Sequence, residues 1–393
     1  MKSVAIILES TWKSFSRSSF QPFRKGAACD HLLLFIAIGL TAFGLVMVYS
    51  ASYIFSQEKY GNGLYYFTRH LMFLGIGFGV MIFCRFLHFS IWRKLALPLF
   101  FLSLGLVALT LVPGIGHKAG GASRWLGIGS FTIQPVEFAK IALVMLLAAK
   151  FTQKKIEWDH YTTGFLHHLW PTVLLVLFCM LQPDFGSSAL IVAASAILFY
   201  LAGIRPRYLF GAAALLAPLA AAAMILAPYR RARLLTFLNP WADPQGAGFQ
   251  IIQSFLAFYR GGLFGVGLGN SRAKVFYLPE AHNDFILSVV GEELGFLGIG
   301  ILSITFLLLI FRGMRIAAKA SDGFSSLLAS GLILLLGLEV FWNAAIVLGL
   351  FPTKGMNLPF ISSGGSSIVC ALAIIGILLN ISSQSSTKQE KIL

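Results

Sequence analysis

The sequence predicts an all-α, polytopic membrane protein with about ten transmembrane helices, and three observations support this fold class. Of the 393 residues, 57% are hydrophobic and only 11% are charged, whereas a soluble globular domain carries about 25% charged residues. The mean hydropathy is +0.81. The apolar runs are also long enough, because one helical span needs about 20 residues.

The predicted spans are separated by polar, Gly-rich or Pro-rich segments. They lie near 31–53, 68–86, 95–113, 136–151, 165–182, 186–203, 208–227, 285–311, 325–350 and 366–381. We expect one transmembrane domain, 31–382, between a cytoplasmic N-terminal tail, 1–30, and a cytoplasmic C-terminal tail, 383–393. The large loop between helices 7 and 8, 228–284, is the longest connection. The four cysteines show neither metal spacing nor a disulfide pattern, which predicts small core residues.

Alternate loops differ in their content of Lys and Arg. The short loops on the same side as the termini carry most of the basic residues, and the positive-inside rule places that side in the cytoplasm. Loop 228–284 is therefore extracytoplasmic. The net charge of +15 is explained by this topology. Because no basic patch interleaved with aromatic residues is present, we expect no nucleic acid partner.

An acid marks the point where loop 228–284 meets the eighth predicted span. Asp284 directly precedes the apolar run that begins at Phe285, and a charge at a membrane boundary usually has a function or a partner. The carboxylate could act as a general base toward a substrate hydroxyl, or it could cap the following helix. Position alone does not decide between these interpretations. Glu280 and His282 are neighbouring candidates, although a structural or solvated position in the loop is favoured for each of them.

Basic residues on the predicted extracytoplasmic side form a second set of candidates, because they oppose the usual charge bias. They are Lys118, Arg124, Arg230, Arg231, Arg233, Arg260, Arg272, Lys274 and Lys354. Such residues suit an anionic group such as a diphosphate, whose developing charge they would stabilise. Contact with anionic lipid headgroups explains any single residue equally well. Their clustering in the same loops as Asp284 favours the substrate-binding interpretation for the set.

Further polar residues lie at or inside predicted spans. Glu137 and Lys140 share one helical face, where they either neutralise each other or form a polar wall of a substrate cavity. Asp184 either begins a helix or belongs to a cavity. Glu339 and Asn343 form another polar site in the interior of the bundle.

Segments rich in glycine and proline interrupt the helical pattern. The run Phe249–Tyr259 is too short to span and predicts an interfacial or re-entrant helix. The glycine segment that follows, Gly261–Gly269, could bring the backbone close to a ligand. Pro352–Ser367 cannot form a continuous helix. The small residues around Ser366 then begin the last span, where free backbone amides could bind an anion; a plain tight turn is the alternative.

Several long motifs occur in the order typical of one protein family. They are Val46–Ser52, Gly121–Trp125, Gln134–Glu137, Gln182–Gly186, Asn239–Pro244, Pro279–Gly295 and Pro352–Ser367. Together they resemble the SEDS family (shape, elongation, division and sporulation proteins), the bacterial peptidoglycan polymerases, over about residues 40 to 380. The motifs resemble the division branch more than the elongation branch. Ser363 and Asn283 depart from the family, in which Tyr and Thr are usual at these positions.

The resemblance implies an activity and a site. A member of this family polymerises lipid II into glycan strands at the outer face of the cytoplasmic (inner) membrane, and the division branch does so at the septum. Asp284 matches the essential loop aspartate and would act as general base on the 4-hydroxyl of the acceptor GlcNAc, with inversion at the anomeric carbon. The residues expected to bind substrate are Arg124, Glu137, Lys140, Asp184, Arg230, Arg231, Arg233, His282, Lys354 and Ser366.

The resemblance also implies partners. These are a class B penicillin-binding protein, which is the FtsI-like transpeptidase, and other membrane proteins of the divisome. No resident metal site is predicted, whereas a divalent cation at the diphosphate, Mg²⁺ or Mn²⁺, stays open. An elongation-type polymerase is the nearest alternative. A lipid II flippase would instead concentrate its charges near the bilayer midplane, and a scaffold that only activates its partner would tolerate replacement of Asp284.

Overall fold

The structure is a computed structural model that describes residues 29–87, 89–119, 122–128, 131–153, 161–226, 228–246 and 248–390. Most of the predicted N-terminal tail and the last three residues therefore lie outside the described residues. The α-helices are α1 (His31–Tyr60), α2 (Tyr65–Phe86), α3 (Phe89–Leu109), α4 (Pro135–Phe151), α5 (His167–Leu181), α6 (Phe185–Leu201), α7 (Pro206–Leu226), α8 (Pro228–Leu238), α9 (Phe249–Gly261), α10 (Ile286–Ala318), α11 (Gly323–Val347) and α12 (Gly365–Glu390).

Each predicted span coincides with one of these helices, namely α1 to α7 and α10 to α12. Within the described ranges, 7 helices are long and apolar enough to cross a membrane: α1, α2, α3, α5 with the turn before it, α10, α11 and α12. Helix α6 is apolar but shorter. The polytopic helical fold class is confirmed, whereas the number of spans and the domain bounds stay predictions.

Helix α12 lies at the centre of the bundle. Of its most apolar window, 89% is buried, compared with 22% for α10. It packs along α2 at small residues: a Cβ added to Gly77 would lie 2.6 Å from Leu372 Cδ1, and one added to Gly376 would lie 2.3 Å from the Met81 carbonyl oxygen. Glycines at such positions let two membrane helices approach closely. The four cysteines are buried and free, as predicted for core residues.

A small antiparallel sheet interrupts the otherwise helical fold. Its strands are β1 (Gly116–Ala119), β2 (Ala122–Ile128) and β3 (Phe131–Ile133), with β2 between the other two. Leu126 is opposite both Gly116 and Ile133. The sequence predicts only a loop here, because strands this short leave little alternation to detect. The sheet matters for the site because β2 carries Arg124.

Helix α10 is broken at Gly295, whose φ of 65° and ψ of −166° are accessible essentially only to glycine. The glycine segment fills this break with its own backbone. The amide of Phe296 donates to the carbonyl of Gly262 (2.8 Å), and the carbonyl of Glu292 accepts from the amide of Val266 (3.0 Å). Backbone groups at membrane depth must be paired within the protein. The glycine segment was predicted to approach a ligand; the close approach that the structure shows is to α10, and contact with a ligand stays a prediction.

The run Phe249–Tyr259 is helical, as predicted, and forms most of α9. Its buried Ser254 donates to the carbonyl of Val347 at 2.7 Å and is hydrogen-bonded to Ser288 at 2.8 Å. The helix is thereby held against α10 and α11 near the ends that face loop 228–284.

The opposite end of the bundle, predicted to face the cytoplasm, is held by polar contacts between helix termini. Arg312 of α10 forms an ion pair with Asp30 before α1 (2.9 Å). Asn380 of α12 donates to the carbonyl of Arg85 in α2 (2.6 Å). These contacts lie at the far ends of the helices from Asp284.

Candidate functional site

A cavity of about 520 Å³ lies where the predicted extracytoplasmic loops meet. Its walls come from α2, the sheet, α8, the loop before α10 and the loop between α11 and α12. The structure brings Arg124, Arg233, Asp284 and Lys354 together in its lining. We call this cavity the cleft. Segments that are far apart in sequence therefore line one cleft. Three of the predicted basic residues lie there, whereas Arg231, Arg260, Arg272 and Lys274 are not among the described residues that line it.

Asp284 does not cap the helix that follows it. Helix α10 begins at Ile286, and its N-cap residue, Phe285, makes no side-chain capping bond. The carboxylate of Asp284 instead lines the cleft, while its backbone carbonyl accepts a hydrogen bond from Asn343 at 2.8 Å. Of the two interpretations left open by the sequence, the geometry favours the one in which the side chain is available for chemistry.

The surroundings of Asp284 favour a protonated carboxyl more than water does. Burial raises its pKa, and the nearby carboxylate of Glu280 raises it further, whereas Lys354 and Arg124 act in the opposite direction. The resulting pKa is about 7. A general base works best when its pKa is close to the operating pH. Asp284 can therefore accept a proton and release it again near neutrality.

Asp184 joins two cationic residues of the cleft. This carboxylate is 1% exposed and is paired with Lys354 and with Arg124, whose Nε lies 3.4 Å away. Burial alone would raise the pKa of Asp184, but the two cations outweigh it and hold the pKa below its usual range. Asp184 also caps α6, accepting the amide of Ser187 at 3.0 Å. The helix-start interpretation is confirmed, and the acid positions Lys354 and Arg124.

The basic residues of α8 differ in their placement. Arg233 lines the cleft and donates from Nη1 to the carbonyl of Thr353 at 3.0 Å, which joins α8 to the loop that carries Lys354. Arg231 is exposed and is not among the described residues that line the cleft. The side chains of Arg230 and Lys118 lie outside the described residues. Among the members of the α8 group whose side chains are described, Arg233 is thus the residue brought to the site.

Lys140 is buried in the bundle, and Glu137 beside it is half-buried. The Nζ of Lys140 lies 2.9 Å from Glu137 Oε1 and also pairs with Glu339 of α11. None of these three is among the described residues that line the cleft. The geometry therefore favours the interpretation in which the charges neutralise one another, and a role in substrate binding stays a prediction.

His282 and Ser366 lie behind the walls of the cleft. The His282 ring packs on Tyr66, with centroids 4.3 Å apart, and burial lowers its pKa. Ser366 accepts the backbone amide of Gln134 at 2.9 Å, which ties the start of α12 to the start of α4. Both residues support the fold around the cleft, and their predicted contact with substrate stays a prediction.

The two positions that depart from the family contact each other. The Ser363 hydroxyl is hydrogen-bonded to the side-chain oxygen of Asn283, and its amide donates to the carbonyl of His282 at 3.1 Å. Ser362 adds a bond to the carbonyl of Asn283 at 2.7 Å. The segment before α12 is thus joined directly to the segment that ends in Asp284.

Arg69 is a residue of the cleft that was not predicted from the sequence. It lines the cleft, and its Nη2 donates to Thr132 Oγ1 of the sheet at 2.9 Å. A signal for it was present in the sequence. Arg69 lies at the predicted start of the second span, on the side where basic residues are rare, so it satisfies the same criterion as the basic loop residues.

Comparisons with known proteins identify a family and support the fold. Residues 30–387 match a family model described as cell cycle protein and named for FtsW, RodA and SpoVE. A probable peptidoglycan glycosyltransferase FtsW from Geobacter metallireducens is 44% identical over 355 residues, 90% of this chain and 95% of the relative. Stage V sporulation protein E from Bacillus subtilis is 40% identical over 362 residues, 92% of this chain and 99% of the relative.

A solved structure shares the fold. It comes from work on how a peptidoglycan synthase complex coordinates polymerization and crosslinking. It is 30% identical to this chain, with a TM-score of 0.77, and the similarity covers 91% of this chain and 98% of the other. The family match spans nearly all the described helices, the sheet and every wall of the cleft. This multi-pass membrane protein therefore belongs to the FtsW, RodA and SpoVE family of cell cycle proteins.

Proposed function

We propose that the protein is a peptidoglycan glycosyltransferase that polymerises lipid II into glycan strands during septal cell-wall synthesis. The observation that carries this proposal is the placement of one carboxylate of raised pKa, Asp284, in the same cleft as Arg124 and Lys354. A base and a set of cations are what a hydroxyl attack on a diphosphate-linked sugar needs. The relatives named as peptidoglycan glycosyltransferases support the same activity.

In the proposed reaction, Asp284 takes the proton from the 4-hydroxyl of the acceptor GlcNAc. The oxygen then attacks the anomeric carbon of the donor disaccharide from the face opposite the diphosphate. The new glycosidic bond forms as the bond to the diphosphate oxygen breaks, so the anomeric configuration inverts. The leaving undecaprenyl diphosphate keeps the electron pair. Lys354, Arg124 and Arg233 stabilise its charge through charge-assisted hydrogen bonds, and Asp284 returns its proton to water.

A divalent cation at the diphosphate is compatible with the cleft. In the part of the chain that the structure describes, no group of three His, Cys, Asp or Glu residues is arranged to hold an ion. Two carboxylates, Glu280 and Asp284, line the cleft. Glu280 suits Mg²⁺ or Mn²⁺, which commonly bind one or two carboxylates together with substrate phosphates, and this leaves Asp284 free to act as the base. An ion held there would neutralise diphosphate charge.

The proposed setting is the cytoplasmic membrane at the division septum, with a class B penicillin-binding protein of the FtsI type as partner and other divisome membrane proteins nearby. The similar chain solved in work on a peptidoglycan synthase complex supports a crosslinking partner. Depletion of the protein in cells distinguishes an elongation role for the same chemistry from a septal role. Loss of an elongation role would yield round cells. Loss of the proposed septal role would yield filaments.

The test of activity uses purified protein with its cognate penicillin-binding protein and lipid II in vesicles. We expect long glycan strands. Transfer of intact lipid II across the vesicle membrane without strands would instead support the flippase. The ion pairs of Lys140 with Glu137 and Glu339 are the feature that such a carrier would use.

We expect the rate of strand formation to rise as the pH increases through about 7, because Asp284 must be deprotonated to act as a base and its pKa is raised to about 7. The measurement is the initial rate at saturating lipid II from about pH 5 to about pH 9. Each sample is also returned to neutral pH to confirm that activity recovers. A rate that stays constant over this range, as expected for a base with the ordinary aspartate pKa of about 3.9, would contradict the proposed environment of the base.

Gly355 lies directly against the base. A Cβ at this position would be 2.5 Å from Asp284 Oδ2, so Gly355→Ala should rotate the carboxylate without disturbing the backbone. Because a displacement of about 1 Å can lower a rate about 10²-fold, we expect a loss of that order with unchanged thermal stability. Gly75→Ala is the matched control, since a Cβ there meets nothing within 4 Å. Equal rates for the two variants would contradict this placement of Asp284.

A further inference from the structure

Asn343 of α11 connects the loop that carries the base, Asp284, to the loop that carries one of the proposed leaving-group cations, Lys354. Its side chain is 1% exposed. The amide nitrogen donates to the carbonyl of Asp284 at 2.8 Å and to the carbonyl of Met356 at 2.6 Å. Met356 follows Lys354 and Gly355 in the loop that forms the opposite wall of the cleft. One buried side chain thus touches the backbone of both walls.

The chemistry of these contacts sets the orientation of the amide. Both partners are carbonyl oxygens, which only accept, so the NH₂ group must face them and both of its hydrogens are used. The Oδ1 of Asn343 is buried and has no partner among the described residues. A buried polar atom without a partner is unfavourable. This position therefore requires the NH₂ group of the Asn343 side chain and not its oxygen.

Helix α11 is itself anchored one turn further into the bundle. Glu339 precedes Asn343 by four residues and lies on the same helical face. Its carboxylate pairs with Lys140 of α4, which also holds Glu137. The ion pair limits rotation and sliding of α11 against α4, so the Asn343 amide is presented to the two loops from a fixed position.

We propose that Asn343 is a positioning residue for glycosyl transfer, which sets the separation between Asp284 and Lys354. The inference rests on the proposed function. Asn343 touches neither the carboxylate nor the cations, and it acts through the backbone on each side. The bonds of Ser362 and Ser363 to Asn283 would still join the two segments, but loss of the two Asn343 bonds frees the backbone at Asp284 and at Met356. The base and Lys354 then no longer face one substrate at the right spacing.

The test compares Asn343→Ala and Asn343→Asp with native protein in the lipid II polymerisation assay. The Asp variant keeps the size of the side chain but sets carboxylate oxygens against carbonyl oxygens. Asn380→Ala is the matched control, because Asn380 is also a buried asparagine that donates to a backbone carbonyl, that of Arg85 at 2.6 Å, at the other end of the bundle. Thermal unfolding and partner binding are measured for all variants.

We expect kcat to fall about 10²-fold in both Asn343 variants, as for a displaced catalytic group, with an unchanged KM for lipid II. The Asn380 variant should keep the native kcat even if its thermal stability falls by as much as that of the Asn343 variants. Equal kcat in the two sets, a loss confined to KM, or failure of every Asn343 variant to fold would overturn the inference. Inactive native protein would instead overturn the proposed function, and Asp284→Asn serves as the inactive reference.

Discussion

Asp284→Asn is expected to abolish glycan-strand formation while leaving a folded protein that still binds its partner. Asparagine matches aspartate in size but cannot accept the acceptor proton. General-base catalysis contributes about 10²–10⁴-fold to a rate, so we expect a loss of at least 10²-fold. The backbone contact of residue 284 with Asn343 does not involve the substituted atoms, which is why the fold should persist.

The measurement is strand length and yield from lipid II with the cognate penicillin-binding protein. Glu58→Gln is the control, since Glu58 is an exposed acid on the same predicted side of the membrane. It should retain native activity. Strands of native length and yield from the Asp284 variant would remove this residue from the chemistry and would favour the scaffold interpretation.

The raised pKa of Asp284 also has a consequence for stability. A carboxyl whose folded-state pKa is raised favours folding when protonated, and this contribution is lost as the pH rises through the folded-state pKa, here about 7. Because asparagine does not ionise, Asp284→Asn removes this loss of stability at high pH. The variant should therefore unfold at a temperature no lower than that of the native protein at about pH 8, which separates loss of chemistry from loss of fold.

The parts of the fold that depend on local pattern were predictable. A membrane helix needs a long apolar run. Each apolar run that was predicted to be a span overlaps a helix in the structure. The sheet was not predictable, because its strands are short and its register depends on pairing between them. The break in α10 is similar: Gly295 lies in an apolar run, and only the distant glycine segment, which supplies the missing hydrogen bonds, makes the break possible.

The site was predictable in its residue types and less so in its partners. Asp284 could be singled out because a charge at a membrane boundary is unusual. Its role as base or cap depended on where α10 begins, which can shift by one or two residues in any prediction. The pairing of Glu137 with Lys140 follows from helical spacing, whereas Glu339 comes from a different helix. Contacts of this kind depend on tertiary structure, and spacing along the chain does not encode them.

Asp184→Asn should destabilise the protein strongly, because Asp184 is the shared partner of two cations. Removal of one member of a buried ion pair leaves an uncompensated charge, and the free energy of unfolding falls by about 3–5 kcal/mol. Lys354 and Arg124, whose side chains are only 11% and 17% exposed, would then repel each other. We expect lower thermal stability and slower strand formation, since both cations lose the contact that holds them in the cleft.

Asp322→Asn is a closely matched control for this effect. Asp322 caps α11 as Asp184 caps α6: the amide of the serine three residues later donates to each carboxylate at 3.0 Å, and that serine's hydroxyl donates as well. Among the residues that the structure describes, ion pairs with Lys and Arg are found at Asp184 but not at Asp322. Asparagine is also a good N-cap, so Asp322→Asn should change stability little. Equal losses of stability in the two variants would mean that Asp184 acts as a helix cap and that its ion pairs do not anchor Lys354 and Arg124.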